Sequence, residues 1–251
     1  MRRLPALLIL LAALAGCGGS GSSYPDKATA TGPIVKGPGG VWIFQPAGKP
    51  KDVVVFFHGQ GSFHEATPVN HRPWIDHLVQ RGSLVIYPRY ELSYEPDPIP
   101  FVIKGVQTAM KRVDTRGLPV LAIGYSRGGG LVVEYGAFAR ENGLPVPNAI
   151  MAVFPAGQGD ERRIISLRNL DHKTALLLQT GEDDNVVAGG GARFLLGRLQ
   201  AAGFPASRIQ TDYVRSQKGL VANHFAPLQT SPAAKAEFWG VADRMLNALD
   251  E

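Results

Sequence analysis

From Val41 onward, short and continuously apolar runs alternate with longer amphipathic stretches, and no other feature narrows the possible folds as much. Residues 53–57, 84–87, 120–123, 149–154, 175–179 and 209–214 are strand candidates. Most are apolar at consecutive positions, as strands covered on both faces must be. Residues 72–81, 101–113, 128–140, 190–201 and 232–249 are helix candidates. Val102, Val106, Met110 and Val113 form one apolar stripe, and Phe238, Val241, Met245 and Leu249 form another behind a Ser231-Pro232 cap. Strands alternating with helices predict an α/β class with a mostly parallel central sheet and helices on both faces. An earlier strand over 41–44 is expected near one edge.

The chain begins Met1-Arg2-Arg3, continues with an apolar run over residues 4–13 and reaches Leu14-Ala15-Gly16-Cys17. The run is well short of the roughly 20 residues of a spanning helix. Positive residues, a short apolar core and small residues instead make an export signal. Leu14-Ala15-Gly16-Cys17 resembles the lipobox of bacterial lipoproteins. The resemblance implies cleavage before Cys17, a diacylglycerol on its sulfur and an acylated new N-terminus, which would hold the protein on the membrane of the bacterial cell envelope. Three parts are therefore expected: a signal peptide over 1–16, the lipidated Cys17 and a small polar tether over 17–40, and one catalytic domain over 41–251. Cys17 is the only cysteine, so the domain has no disulfide and must be stable through its core. Losing residues 1–16 removes Arg2 and Arg3, and the formal charge of +5 becomes +3. With no cluster of Lys and Arg and no basic stripe interleaved with aromatics, nothing in the chain suggests a nucleic-acid partner.

Gly124-Tyr125-Ser126-Arg127-Gly128 follows a strand candidate and opens a helix candidate. A nucleophile on such a sharp turn needs small neighbours, so that the helix can pack close to the strand. Serine is a weak nucleophile at neutral pH and needs a base, and the base needs an orienting group. Both follow in the chain. Glu182, Asp183 and Asp184 come after the strand candidate 175–179, and His224 comes after 209–214. Strand ends of this kind are where groups collect in open α/β sheets. The turn His58-Gly59-Gln60-Gly61 after 53–57 offers a backbone N–H at Gln60, which with the N–H of Arg127 would face a developing oxyanion.

With these motifs in place, the chain from about Val41 to Leu249 resembles the α/β-hydrolase family. The resemblance implies a Ser126–Asp184–His224 triad, an acyl-enzyme intermediate and the cleavage of carboxylic esters. In the family pattern the acid stands three residues after a glycine and two before a valine, which selects Asp184, with Asp183 as the competitor. Asp212 lies inside a strand candidate and is disfavoured. Only residues 155–174 separate the strand candidates 149–154 and 175–179, too few for a large cap domain. Cover is expected from loops 60–70 and 90–100. Amide, thioester and polyester substrates share the chemistry. A non-catalytic envelope lipoprotein that keeps the fold for binding is the competing class.

The remaining motifs carry less. His58, His64, His71 and His77 have no metal-ligand spacing, and no cofactor is expected. Gly189-Gly190-Gly191 lacks a following Lys-Ser/Thr and reads as a flexible start to a helix rather than a phosphate cradle. The guanidinium of Arg127 has two candidate roles: meeting an anionic substrate group, or pairing with Glu134 or a loop carboxylate. With Cys17 committed to the lipid, the cysteine-nucleophile branch that resembles dienelactone hydrolases is excluded.

Overall fold

Asp52-Val53-Val54-Val55-Phe56-Phe57 places β-branched and aromatic side chains on successive positions, a density that suits a pleated backbone only when both faces are covered. The computed structural model describes residues 29–34, 37–60, 66–157 and 165–250. The expected signal peptide, Cys17, the tether up to residue 28, and Gly61 and His64 lie outside them.

The apolar runs become one eight-stranded sheet of order β1-β2-β4-β3-β5-β6-β7-β8. Its strands are β1 (Thr29–Thr31), β2 (Gly40–Gln45), β3 (Asp52–Phe57), β4 (Ser83–Arg89), β5 (Val120–Tyr125), β6 (Ala149–Val153), β7 (Ala175–Gly181) and β8 (Ile209–Val214). β1 pairs antiparallel with β2, and β2 antiparallel with β4. Every pairing from β4 across to β8 is parallel. The helices are α1 (Arg72–Gln80), α2 (Ile99–Met110), α3 (Arg127–Phe138), α4 (Gly190–Ala201), α5 (Pro232–Ala234) and α6 (Gly240–Asn247).

Side chains two apart on a strand share a face, and the core divides accordingly. Val53, Val55 and Phe57 of β3 pack with Val102 and Val106 of α2, Leu131 and Val132 of α3, and Leu195 of α4. Val54 and Phe56 point the other way, to Trp74 and Ile75 of α1 and to Phe238 and Leu246 near the C-terminus. The result is a sheet between two helical layers. Each fully buried large side chain of α3, such as Leu131 or Phe138, contributes about 1.5–3 kcal/mol relative to exposure.

Two expectations change. The 41–44 strand lies near one edge as expected, but the edge itself is β1, formed within residues read from sequence as lead-in. At the C-terminus, Ser231 Oγ caps the first turn by accepting from Ala234 N at 3.2 Å, but a π turn over Lys235–Trp239 follows. Its wider turn rotates the later residues, so that Phe238, Ala242 and Leu246 are buried, while Met245 and Leu249 are only partly so. Between β6 and β7 the described residues contain one short 3-10 turn, Leu167–Asn169, and no cap domain. No helix among the described residues is long and apolar enough to cross a membrane.

Candidate active site

β5 delivers Ser126 to the carboxyl edge of the sheet, where the chain must reverse into α3 within one residue. Ser126 adopts φ 55° and ψ −120°, a conformation rare for any residue but glycine. Such a residue costs about 1–3 kcal/mol and persists only where its surroundings hold it. Here its N–H donates to Val153 O at 3.0 Å, and its carbonyl accepts from Gly129 N at 2.9 Å and Ala156 N at 2.8 Å. The flanking glycines have a steric cause. A Cβ on Gly124 would lie 2.1 Å from Gly128 O, and one on Gly128 would lie 2.4 Å from His58 O.

The histidine arrives from the loop after β8, 98 residues downstream of the serine. Its Nε2 is 2.9 Å from Ser126 Oγ, and its Nδ1 is 2.9 Å from Asp184 Oδ2. The other carboxylate oxygen of Asp184 accepts from Val186 N at 3.0 Å and Val187 N at 3.1 Å. With the acceptor oxygen of Asp184 beside it, Nδ1 is the donor, which leaves Nε2 to accept a hydrogen bond from the Ser126 hydroxyl. Asp184 and His224 are 4% and 5% exposed, so water competes little for these bonds. Asp183 instead accepts from Ser216 Oγ at the surface, and Asp212 accepts from Gln179 Nε2 inside the sheet at 2.9 Å.

Ser126 and His224 open into a cleft of about 720 Å³, with Gln60, Tyr125, Arg127, Ala156, Gly157, Val186, Val187 and Phe225 around it. Gln60 follows β3 and Arg127 starts α3 next to Ser126, and both residues line the cleft. Neither backbone N–H donates to another group among the described residues. The lining is mostly apolar, and Val186 and Phe225 at its mouth are 64% and 59% exposed. The Arg127 guanidinium pairs with Glu91 of the loop after β4 at 2.9 Å, while Glu134 pairs with Arg198 at 2.7 Å. Of the two roles expected from sequence, pairing with a loop carboxylate is the one observed.

The other motifs are structural. His58 donates Nδ1–H to Gly59 O at 2.7 Å and stacks on Tyr90, and no metal-holding cluster occurs among the described residues. Gly191 is required by packing, since a Cβ there would meet Pro155 O at 2.0 Å. Sequence reasoning missed Tyr125, whose hydroxyl donates to His224 O at 2.9 Å and ties the histidine loop to β5. Its only signal was a tyrosine beside the serine at the end of an apolar strand.

Sheet order, strand directions, a serine turn between β5 and α3, and a histidine after β8 define the α/β-hydrolase fold. The chain is similar to three esterases of solved structure. These are esterase B from Lactobacillus rhamnosis (TM-score 0.67, 16% identity, 92% of this chain and 88% of that one), carboxyl esterase 2 from Tuber melanosporum (0.64, 18%, 92% and 89%), and a thermostable esterase from Pseudomonas putida (0.58, 20%, 84% and 79%). No protein-family model matches the chain. A methylphloroacetophenone synthase from Cladonia uncialis is 28% identical over 127 residues, and the match takes in 44% of this chain but only 5% of that protein's length.

Proposed function

We propose that the chain is a serine hydrolase of carboxylic esters. The observation that carries the reading is the line of hydrogen bonds from Ser126 through His224 to Asp184 at the carboxyl edge of the sheet. In this reading His224 Nε2 takes the proton as Ser126 Oγ bonds to the acyl carbon. The Gln60 and Arg127 N–H groups hold the oxyanion, each worth about 2.7–4 kcal/mol of barrier. His224 returns its proton to the leaving alcohol, and water then cleaves the acyl-enzyme by the same steps in reverse, with Asp184 holding the imidazole in one tautomer throughout. The apolar cleft and the engagement of Arg127 with Glu91 favour an uncharged acyl group. The structure of esterase B with a tributyrin phosphonate points to the same substrate class for that enzyme. We further propose that the domain is exported and held on the envelope membrane by a lipid on Cys17, a reading that rests on Leu14-Ala15-Gly16-Cys17.

The test is labelling by a fluorophosphonate together with hydrolysis of p-nitrophenyl esters of graded chain length. Ser126 is expected to be the labelled residue, and uncharged esters to turn over. A folded protein inert to both would overturn the proposal and leave the binding lipoprotein as the reading.

A further inference from the structure

Both oxyanion donors of the proposed ester hydrolase are tied, through separate side chains, to one short segment that carries neither of them. β3 lies between β4 and β5 in the sheet, so the turn carrying Gln60 is flanked by the ends of those two strands. Immediately after β4, the Tyr90 hydroxyl donates to His58 O, the carbonyl two residues before Gln60, and the Tyr90 ring stacks on the His58 ring at 4.0 Å and 5°. The next residue, Glu91, pairs with the Arg127 guanidinium at 2.9 Å. The same guanidinium donates to Glu95 O and lies under the Tyr94 ring at 4.7 Å. Glu91 Oε2 also accepts from Glu95 N at 3.2 Å, which folds the loop around the arginine. Tyr90 is fully buried and the Glu91 side chain is 1% exposed, so the Tyr90–His58 and Glu91–Arg127 ties are made away from water, while the Tyr94 ring lies at the surface.

We infer that Tyr90 and Glu91 form a strut that sets the separation and aim of the Gln60 and Arg127 N–H groups, with the Arg127 side chain as its anchor. The three side chains are positioning residues, and the inference rests on the ester-hydrolase reading. An oxyanion donor acts only if it is already aimed at the place where charge develops. Gln60 stands in a turn and Arg127 on the first turn of a helix, so neither N–H is aimed by a backbone ladder. A strut that spans the end of β3 fixes both at once. Arginine suits the anchor because its planar fork can meet a carboxylate, a carbonyl and a ring face together, which a lysine point charge cannot.

The experiment compares Tyr90→Phe, Glu91→Gln, Arg127→Gln and the double variant Tyr90→Phe/Arg127→Gln with the wild-type chain. The readouts are kcat and KM on p-nitrophenyl butyrate per fluorophosphonate-titrated site, and Ki for a trifluoromethyl ketone of the same acyl shape. That ketone forms a tetrahedral oxyanion on the serine and so needs the same donors. Each single variant is expected to lose about tenfold or more in kcat with a parallel rise in Ki, while KM stays within about twofold. Counting titrated sites removes unfolded protein from the comparison. Tyr90→Phe deletes one oxygen and keeps the test open if the arginine variant fails to fold. Unchanged kcat per site, or KM and Ki rising by one common factor, would overturn the strut. A wild-type chain inert to the fluorophosphonate would instead overturn the ester-hydrolase reading beneath it.

Discussion

Replacing Asp184 by Asn separates the geometry of the site from its charge. Asp184 uses one oxygen for the N–H groups of Val186 and Val187 and the other for His224 Nδ1. In the variant, the amide oxygen keeps the two backbone donors, and the amide NH₂ then faces His224. That placement forces Nδ1 to accept and puts the ring proton on Nε2, where it confronts the Ser126 hydroxyl with a donor in place of an acceptor. The base is lost while every atom stays near its place. Turnover is expected to fall by about 10⁴, the loss seen when the acid of an analogous serine triad becomes its amide, equivalent to about 5.5 kcal/mol of barrier. Stability changes far less. Three charge-assisted bonds become neutral ones, a cost of about 1–3 kcal/mol. Asp183→Asn should cost less than about threefold, since among the described residues that carboxylate is hydrogen-bonded to the Ser216 hydroxyl at the surface and not to His224. The assay is initial-rate hydrolysis of a p-nitrophenyl ester by all three proteins, with thermal unfolding alongside. A folded Asp184→Asn protein within tenfold of wild type, or the larger loss appearing at Asp183, would refute the reasoning.

Ser126→Ala and His224→Ala should each remove nearly all turnover, and the double variant should be little worse than either, because the two act in one step; additive losses in a kinetic cycle would count against it. Gly128→Ala should destabilise by more than about 3 kcal/mol or prevent folding, since its Cβ would lie 2.4 Å from His58 O and 2.5 Å from Phe57 O, backbone atoms of the neighbouring strand end; a denaturation midpoint close to wild type would refute the close approach. Cys17→Ser should leave the purified domain active but release the protein from membranes or block its maturation, and unchanged detergent partitioning would rule out lipidation.

Much of the fold is readable because the parallel strands are nearly unbroken in apolar character. Residues 53–57 need no partner to be recognised as strand, and Gly124, Gly128 and the strand before them mark the serine turn together. Ser126, Asp184 and His224 are visible for a similar reason: each follows a strand, and parallel strands bring their carboxyl ends to one edge. What stays hidden depends on distance in the chain. Glu91 is no better a partner for Arg127 than Glu134 until the strand order brings the β4 loop beside the start of α3. The π turn is hidden too, since Phe238, Val241, Met245 and Leu249 look like an ordinary stripe until one wider turn changes which of them face inward. β1 escapes because Thr29–Thr31 has no apolar run to announce it.

Ser126 and His224 lie 98 residues apart, and the loop that carries His224 follows β8, which pairs with β7. A chain made from its N-terminus therefore holds the serine through 98 residues of further synthesis before its hydrogen-bond partner His224 exists. Pairing parallel strands across long crossovers is a late and slow event, because loop closure must precede any gain from the contacts. The line of hydrogen bonds from Ser126 through His224 to Asp184 is therefore complete only in a chain whose sheet has closed as far as β7 and β8. The same dependence runs in reverse: a local opening that frees the segment after β8 is expected to part His224 from Ser126.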